Sequence, residues 1–188
     1  MTQREIAIFG GSFDPPHFGH VVLALYALSL GDVERVIVAP TFQHAFNKPL
    51  APFEHRIAMC QLAFADLSRV EVSPIERELG GTSRTLRLIT ELEKRLSGHG
   101  LRLLVGADIL HETFRWQGFD QIRVRAPLLV AGRASHPHPD LDPRTPSLPD
   151  VSSTAVRAAL ENGEDVSHWV PREVCRYLEQ HPLYRGGA

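Results

Sequence analysis

Two hydrophobic rhythms alternate along this chain. Residues 5–9, 35–39, 70–72, 101–105 and 128–131 are short runs of mostly apolar residues, rich in Val, Ile and Leu. Between them, residues 19–30, 53–64 and 86–96 repeat apolar positions every three or four residues, and the last stretch sets Leu88, Ile89, Leu92 and Leu96 on one face. Strands that are apolar on both faces, separated by helices, predict a parallel sheet covered on both sides. Right-handed crossovers then give a single-domain, Rossmann-like doubly wound α/β sandwich with a mainly parallel sheet of about five or six strands. The rhythm breaks at residues 134–150, which hold five of the 14 prolines and predict a long surface loop. Two more helices follow, at 153–160 and 172–180. Their apolar content is too small for a separate core, so one domain is expected over residues 1–184, with the Pro-rich loop inside it and a tail at 185–188.

Composition narrows the classes of function. With 188 residues, 43% hydrophobic and 22% charged, the chain suits one ordinary globular domain. Its formal charge of −2 lacks the electrostatic footprint of a protein that grips nucleic acid by its phosphates. The longest apolar stretch, residues 21–30, is interrupted by Tyr26 and Ser29 and falls short of the roughly 20 residues a bilayer requires. Residues 1–5 lead straight into a strand, with no secretory pattern. Cys60 and Cys175 lie in helix-like segments and read as reduced thiols. These features predict a cytoplasmic protein acting on small molecules, without nucleic-acid or membrane partners. Homo-oligomerisation is left open.

Chemistry concentrates where the first strand ends, in Gly10-Gly11-Ser12-Phe13-Asp14-Pro15-Pro16-His17-Phe18-Gly19-His20. Ligands of open α/β sheets bind beyond the carboxyl ends of the strands. Gly10 and Gly11 allow close approach to backbone N–H groups there. Asp14 is expected to cap the following helix, with the prolines setting its first turn. His17 and His20, three residues apart, share one helical face, and Gly19 leaves room beside them. A pair of histidines alone reads as solvated; behind a Gly-Gly turn at a helix N-terminus, it suits a polyphosphate anion.

This segment is similar to the signature of the His-x-Gly-His nucleotidyltransferases, and within them to the nicotinate mononucleotide adenylyltransferases, whose opening segment reads Gly-Gly-Thr/Ser-Phe-Asp-Pro-x-His-x-Gly-His. A second family signature, Ile/Val-Ser-Ser-Thr-x-Ile/Val-Arg, resembles Val151-Ser152-Ser153-Thr154-Ala155-Val156-Arg157. A third match is Leu104-Val105-Gly106-Ala107-Asp108, with Trp116 eight residues beyond, and the likeness runs on to Pro182-Leu183-Tyr184. The resemblance implies transfer of AMP from ATP to nicotinate mononucleotide, giving deamido-NAD and pyrophosphate in NAD biosynthesis. It implies His17, His20 and Arg157 as catalytic residues. ATP would be bound by Gly10, Gly11, Ser12, Phe13, His17, His20, Gly106, Asp108, Ser152, Ser153, Thr154 and Arg157. Mg²⁺ would be carried mainly by the ATP phosphates, and no protein metal site is expected.

On the acceptor side the resemblance implies His44, Lys48, Thr85, Trp116 and Arg133. Trp116 would stack on the pyridine ring, or else pack under the sheet edge. Arg133 would hold the acceptor phosphate, or else be a solvated loop residue. Departures from the family pattern all fall here. Gln43-His44-Ala45-Phe46-Asn47-Lys48 replaces a Pro-Pro-His-Lys element, Ser83-Arg84-Thr85 replaces Ser-Tyr-Thr, and Arg87-Leu88 replaces an acidic-or-Asn plus Thr pair. Arg84 and Arg87 add positive charge near an acidic acceptor, unless they face solvent with Lys94 and Arg95. Alternatives are the same chemistry on nicotinamide mononucleotide or phosphopantetheine, and a non-catalytic nucleotide sensor. His136 and His138, in the Pro-rich loop, read as a solvated pair.

Overall fold

The apolar runs pair side by side. A computed structural model describes residues 4–133 and 147–185. Strands β1 (Glu5–Gly11), β2 (Val33–Pro40), β3 (Val70–Val72), β4 (Gly100–Gly106), β5 (Leu128–Arg133) and β6 (Ser147–Leu148) form one sheet of order β3-β2-β1-β4-β5-β6. Every neighbouring pair is parallel. The helices are α1 (Phe18–Ser29), α2 (Phe53–Ala63), α3 (Ile75–Leu79), α4 (Thr85–Arg95), α5 (Ala107–Leu110), α6 (Phe119–Arg125), α7 (Ser153–Glu161) and α8 (Arg172–Gln180), with a 3-10 turn at Thr113–Arg115. No helix among the described residues is long and apolar enough to cross a membrane.

Strand alternation on β1 feeds two cores. Ala7 and Phe9 pack with Leu23, Ala24 and Ala27 of α1, while Ile6 and Ile8 pack with Leu88, Ile89 and Leu92 of α4. A third cluster joins Met59 of α2 to Val156 of α7 and to Val174 and Leu178 of α8, so the last two helices dock on α2. The chain builds outward from β1 through β2 to β3, then crosses back to β4 and builds the other way. Between β1 and β4 the direction reverses, and their carboxyl ends flank the crevice where such sheets bind ligands.

The structure corrects the local reading in three ways. Gly10 and Gly11 do not end the first strand but extend it, opposite Ala39 and Pro40. Residues 147–148, assigned to the Pro-rich loop, form β6 against Gly132 and Arg133, with Leu148 buried in the α1-side core. An outermost strand needs hydrogen-bond partners on one side only, so so proline-rich a stretch can still supply it. Residues 134–146, including His136 and His138, lie outside the described residues. Finally, α3, α5 and α6 have only 5, 4 and 7 residues. Such helices are too short for a period of 3.6 to register in sequence.

Candidate active site

The turn from β1 into α1 is held by Phe13. Its backbone is left-handed (φ 47°), strained for a residue with a bulky side chain. The buried ring repays this by packing edge-on to Phe9 at 5.0 Å and against His20 at 4.9 Å. Asp14, expected to cap α1, does not. His17 is the cap residue, and its N–H donates to Nδ1 of His20 at 3.1 Å. His20 thus plays the part that Glu or Gln plays in a capping box. Because its Nδ1 accepts, the proton of the neutral ring belongs on Nε2, which makes Nε2 a donor. The two imidazoles stack with centroids 3.8 Å apart, as their spacing predicts. The room expected beside Gly19 is already occupied: a Cβ there would lie 3.0 Å from the His17 ring.

Asp14 is instead a buried hub. It is 1% exposed, and its Oδ1 accepts from the Ala51 N–H at 3.2 Å and from the Tyr184 hydroxyl at 2.6 Å. Arg157 Nη1 donates to the Asp14 main-chain carbonyl at 2.6 Å and lies 3.8 Å from Oδ2, while Nη2 donates to Thr154 Oγ1 at 3.2 Å. The Ser153 hydroxyl donates to the Pro15 carbonyl at 2.9 Å, and Ser152 caps α7 by accepting from the Ala155 N–H at 3.1 Å. Through these contacts the start of α7 is latched to the β1–α1 turn. Arg56, 1% exposed on α2, secures the other side: it donates to the carbonyls of Ala51 at 2.9 Å, Ser12 at 3.0 Å and Phe42 at 3.5 Å. Burial pulls the Arg56 guanidinium below its ordinary range, with Asp14 opposing.

A cleft of ≈ 390 Å³ opens over the carboxyl ends of β1 and β4. Its wall takes Gly10, Gly11, Ser12, Phe13, His17 and His20 from the first turn, Gly106 and Asp108 from the end of β4 and the first turn of α5, and Ser152, Ser153, Thr154 and Arg157 from α7. His44, Lys48, Thr85 and Trp116 line it too. Arg133 closes β5, but its side chain lies outside the described residues. A Cβ on Gly10 would meet nothing within 4 Å, so ligand approach over that residue is open.

The acceptor-side residues are looser. Lys48 is exposed and His44 half-buried, and burial together with Lys48 lowers the tendency of His44 to take a proton. Phe46, 41% exposed, lies under the Arg115 guanidinium at 4.0 Å. Thr85 opens α4, next to Ser83, whose hydroxyl oxygen accepts from the Phe42 N–H at 2.9 Å. Trp116 is half-buried: it packs against the α4-side core, stands edge-on to Phe119 at 6.1 Å, and still lines the cleft. Arg87 does not line the cleft: its guanidinium donates to the carbonyls of Leu79 and Gly80. Arg84 is exposed, and Arg95 pairs with Glu78 and Glu91.

Residues 8–159 match the cytidylyltransferase-like family. A protein of Anaeromyxobacter sp. (strain K) named "Probable nicotinate-nucleotide adenylyltransferase" is 45% identical over 186 residues, covering 97% of this chain and 98% of its own. One of the same name from Myxococcus xanthus is 38% identical over 181 residues, covering 96% of this chain and 94% of its own. Among solved structures, nicotinic acid mononucleotide adenylyltransferase of Plasmodium falciparum, complexed with NaAD, superposes with a TM-score of 0.79 at 18% identity, over 96% of this chain and 97% of that one. The chain belongs to the nicotinate-nucleotide adenylyltransferases of the cytidylyltransferase-like family.

The family signatures do not reveal every residue that shapes the cleft. Arg56 sits inside an ordinary helical pattern that carries no sign of its role. Glu76, 6% exposed on α3, lines the cleft, and burial pushes its carboxyl up against the opposing effects of the Ser83 hydroxyl and Arg87. No periodicity marks α3, so nothing pointed to Glu76. Tyr184 was legible only as the end of a stretch that resembles the family.

Proposed function

We propose that this protein transfers AMP from ATP to nicotinate mononucleotide, forming deamido-NAD and pyrophosphate. The observation that carries this reading is the meeting of both family signatures, His17 to His20 and Ser152 to Arg157, on one cleft at the reversal point of the sheet. A phosphate oxygen of the acceptor attacks the α-phosphorus of ATP in line. The bond from that phosphorus to the bridging oxygen of the β-phosphate breaks, and pyrophosphate carries the electron pair away. The attacking oxygen is already ionised near neutral pH, so positioning and charge stabilisation supply the catalysis. In this reading His17 and His20 meet the triphosphate, with His20 Nε2–H directed at charge that grows in the transition state. Arg157 and the start of α7 hold the leaving pyrophosphate. Gly10 to Phe13 line the nucleotide's path, and Asp108, beside Gly106, accepts from ribose hydroxyls.

Mg²⁺ would arrive with ATP as part of the substrate, held by phosphate oxygens and water. The signature residues on the cleft, His17, His20 and Arg157, are donors suited to phosphate oxygens, which fits an ion carried by the nucleotide. On the acceptor side, Thr85 and the first N–H groups of α4 face the pyridine carboxylate, Trp116 stacks on the ring, and His44, Lys48 and Arg133 serve the phosphate. We place the protein in the cytoplasm, reading Cys60 and Cys175 as reduced thiols.

Pyrophosphate release from ATP, measured separately with nicotinate mononucleotide, nicotinamide mononucleotide and phosphopantetheine, tests the assignment. The acid is expected to have the highest kcat/KM, because an array of donors at a helix start favours an anion and is left partly unpaired by an amide. Equal values for acid and amide would refute the acceptor assignment. No release with any acceptor would favour a nucleotide sensor.

A further inference from the structure

We infer that Tyr184 is a positioning residue for the transfer: by holding the Asp14 carboxylate, it keeps the Arg157 guanidinium turned to the cleft. The inference rests on the reading of Arg157 as the residue that meets the leaving pyrophosphate. The Tyr184 ring packs beside the cluster that joins α2, α7 and α8, 170 residues from its partner, and its hydroxyl reaches Asp14 Oδ1 at 2.6 Å. That distance is typical of a charge-assisted O–H···O⁻ bond. Burial and the neighbouring carboxylate both push the phenol far above its ordinary range, so the hydroxyl stays a donor.

A carboxylate as buried as that of Asp14 must be satisfied by close partners. Two groups supply Oδ1, the Ala51 N–H and Tyr184. With Oδ1 so occupied, Arg157 stands off from Oδ2 at 3.8 Å and is fastened to the Asp14 carbonyl and to Thr154. Thr154 and Arg157 itself both line the cleft. Of the two cations that face Asp14, Arg56 is committed to three carbonyls, so without the hydroxyl the donor free to approach the carboxylate is Arg157. The guanidinium would close onto the carboxylate, its charge would be neutralised internally, and it would move off the position that meets a phosphate. The effect should appear at the leaving group and spare the acceptor, whose proposed contacts lie at the start of α4, in the 44–48 loop, at Trp116 and at Arg133.

Tyr184→Phe keeps the packed ring and removes only the oxygen. It is expected to lower kcat about tenfold, the scale for a hydrogen bond to a charged group, and to leave KM for the mononucleotide unchanged. In an Arg157→Ala background the same change should cost less than about twofold, since the group it positions is gone. Thermal denaturation of all four proteins serves as the structural control. A merely structural tyrosine would lower Tm and cost activity equally in both backgrounds. Full turnover by Tyr184→Phe, or the same tenfold loss with and without Arg157, overturns the inference. Either result leaves standing the AMP transfer measured on the unaltered protein.

Discussion

At the β1–α1 end of the cleft, Asp14, His17 and Phe13 are each 1% exposed, and every loop there is tied to another element. At the opposite end, His44 is half-buried, Lys48 is exposed and Phe46 is 41% exposed. The same cleft is therefore rigid on one side and soft on the other. The rigid side is where charge would develop during the reaction, and donors aimed at developing charge are effective only if they need not reorganise. The soft side is proposed to select the acceptor. Selection tolerates loops that differ between relatives, as long as the scaffold beneath them is fixed. The departures from the family pattern lie at this end, in the exposed 43–48 loop and at the more firmly packed start of α4.

Substitutions on the rigid side should cost the most. His20→Ala removes both a donor directed at the transition state and the acceptor that caps α1. A kcat loss on the order of 10²–10³-fold is expected, with little change in KM for ATP, read from steady-state pyrophosphate release. Wild-type turnover would remove His20 from the catalytic set.

Gly19→Ala is a subtler probe of the same rigidity. The new methyl would lie 3.0 Å from a buried imidazole that is stacked on His20 and has little space to yield. Alanine favours the helix by about 1 kcal/mol over glycine, which offsets the crowding in the stability of the fold. The ring, however, must shift. We expect kcat to fall about tenfold while Tm changes by only a few degrees. A variant with unimpaired turnover would show that the histidine pair is less rigid than its packing indicates.

On the soft side, Trp116→Ala should raise KM for the mononucleotide about tenfold and leave KM for ATP nearly unchanged, since stacking on a heterocycle is worth roughly 1–3 kcal/mol. If both KM values rise together, the ring serves the core next to Phe119 more than the ligand.

The smallest effect is that of His44. Its protonation is disfavoured in the folded protein by burial and by Lys48, so its folded pKa lies below the unfolded value near 6.5. Sign follows from proton uptake: as pH falls through the unfolded pKa, the unfolded chain binds the proton first, and stability declines until the folded pKa is passed. Above the unfolded pKa the contribution is fully present. His44→Gln should therefore flatten part of the acid-side slope of Tm against pH while leaving Tm above neutrality almost unchanged. An unaltered slope would mean that His44 is solvated equally in both states.

Much of this molecule was legible along the chain because it depends on neighbours in sequence. The apolar runs at 101–105 and 128–131 could only be buried strands, and the histidine spacing could only bring the rings to one face. Asp14 shows where such reasoning stops. Its position before α1 is that of a capping residue, and local logic assigned it to that task. In the folded protein its side chain turns inward, where Ala51, Tyr184 and Arg157 compete for it, and a histidine takes the cap. The prolines of the 134–150 stretch misled in the same way, since they hid β6, whose pairing with β5 is a matter of sheet position.

By itself, then, the sequence determined the layered parallel fold, the location of a phosphate-suited turn after the first strand, and the family to which the chain belongs. The first two are carried by periods and spacings within a few tens of residues, and the family by short signatures that recur in order along the chain. Tertiary structure alone decided which charged groups face the cleft and which are consumed in holding it. Arg87 is diverted to the carbonyls of its own turn, Arg56 is buried as a brace 44 residues from the Ser12 carbonyl it holds, and Tyr184 reaches a carboxylate 170 residues away. A charged side chain takes its role from the partners available where it is desolvated. Those partners are set by how helices pack on the sheet, which no local pattern in the chain specifies.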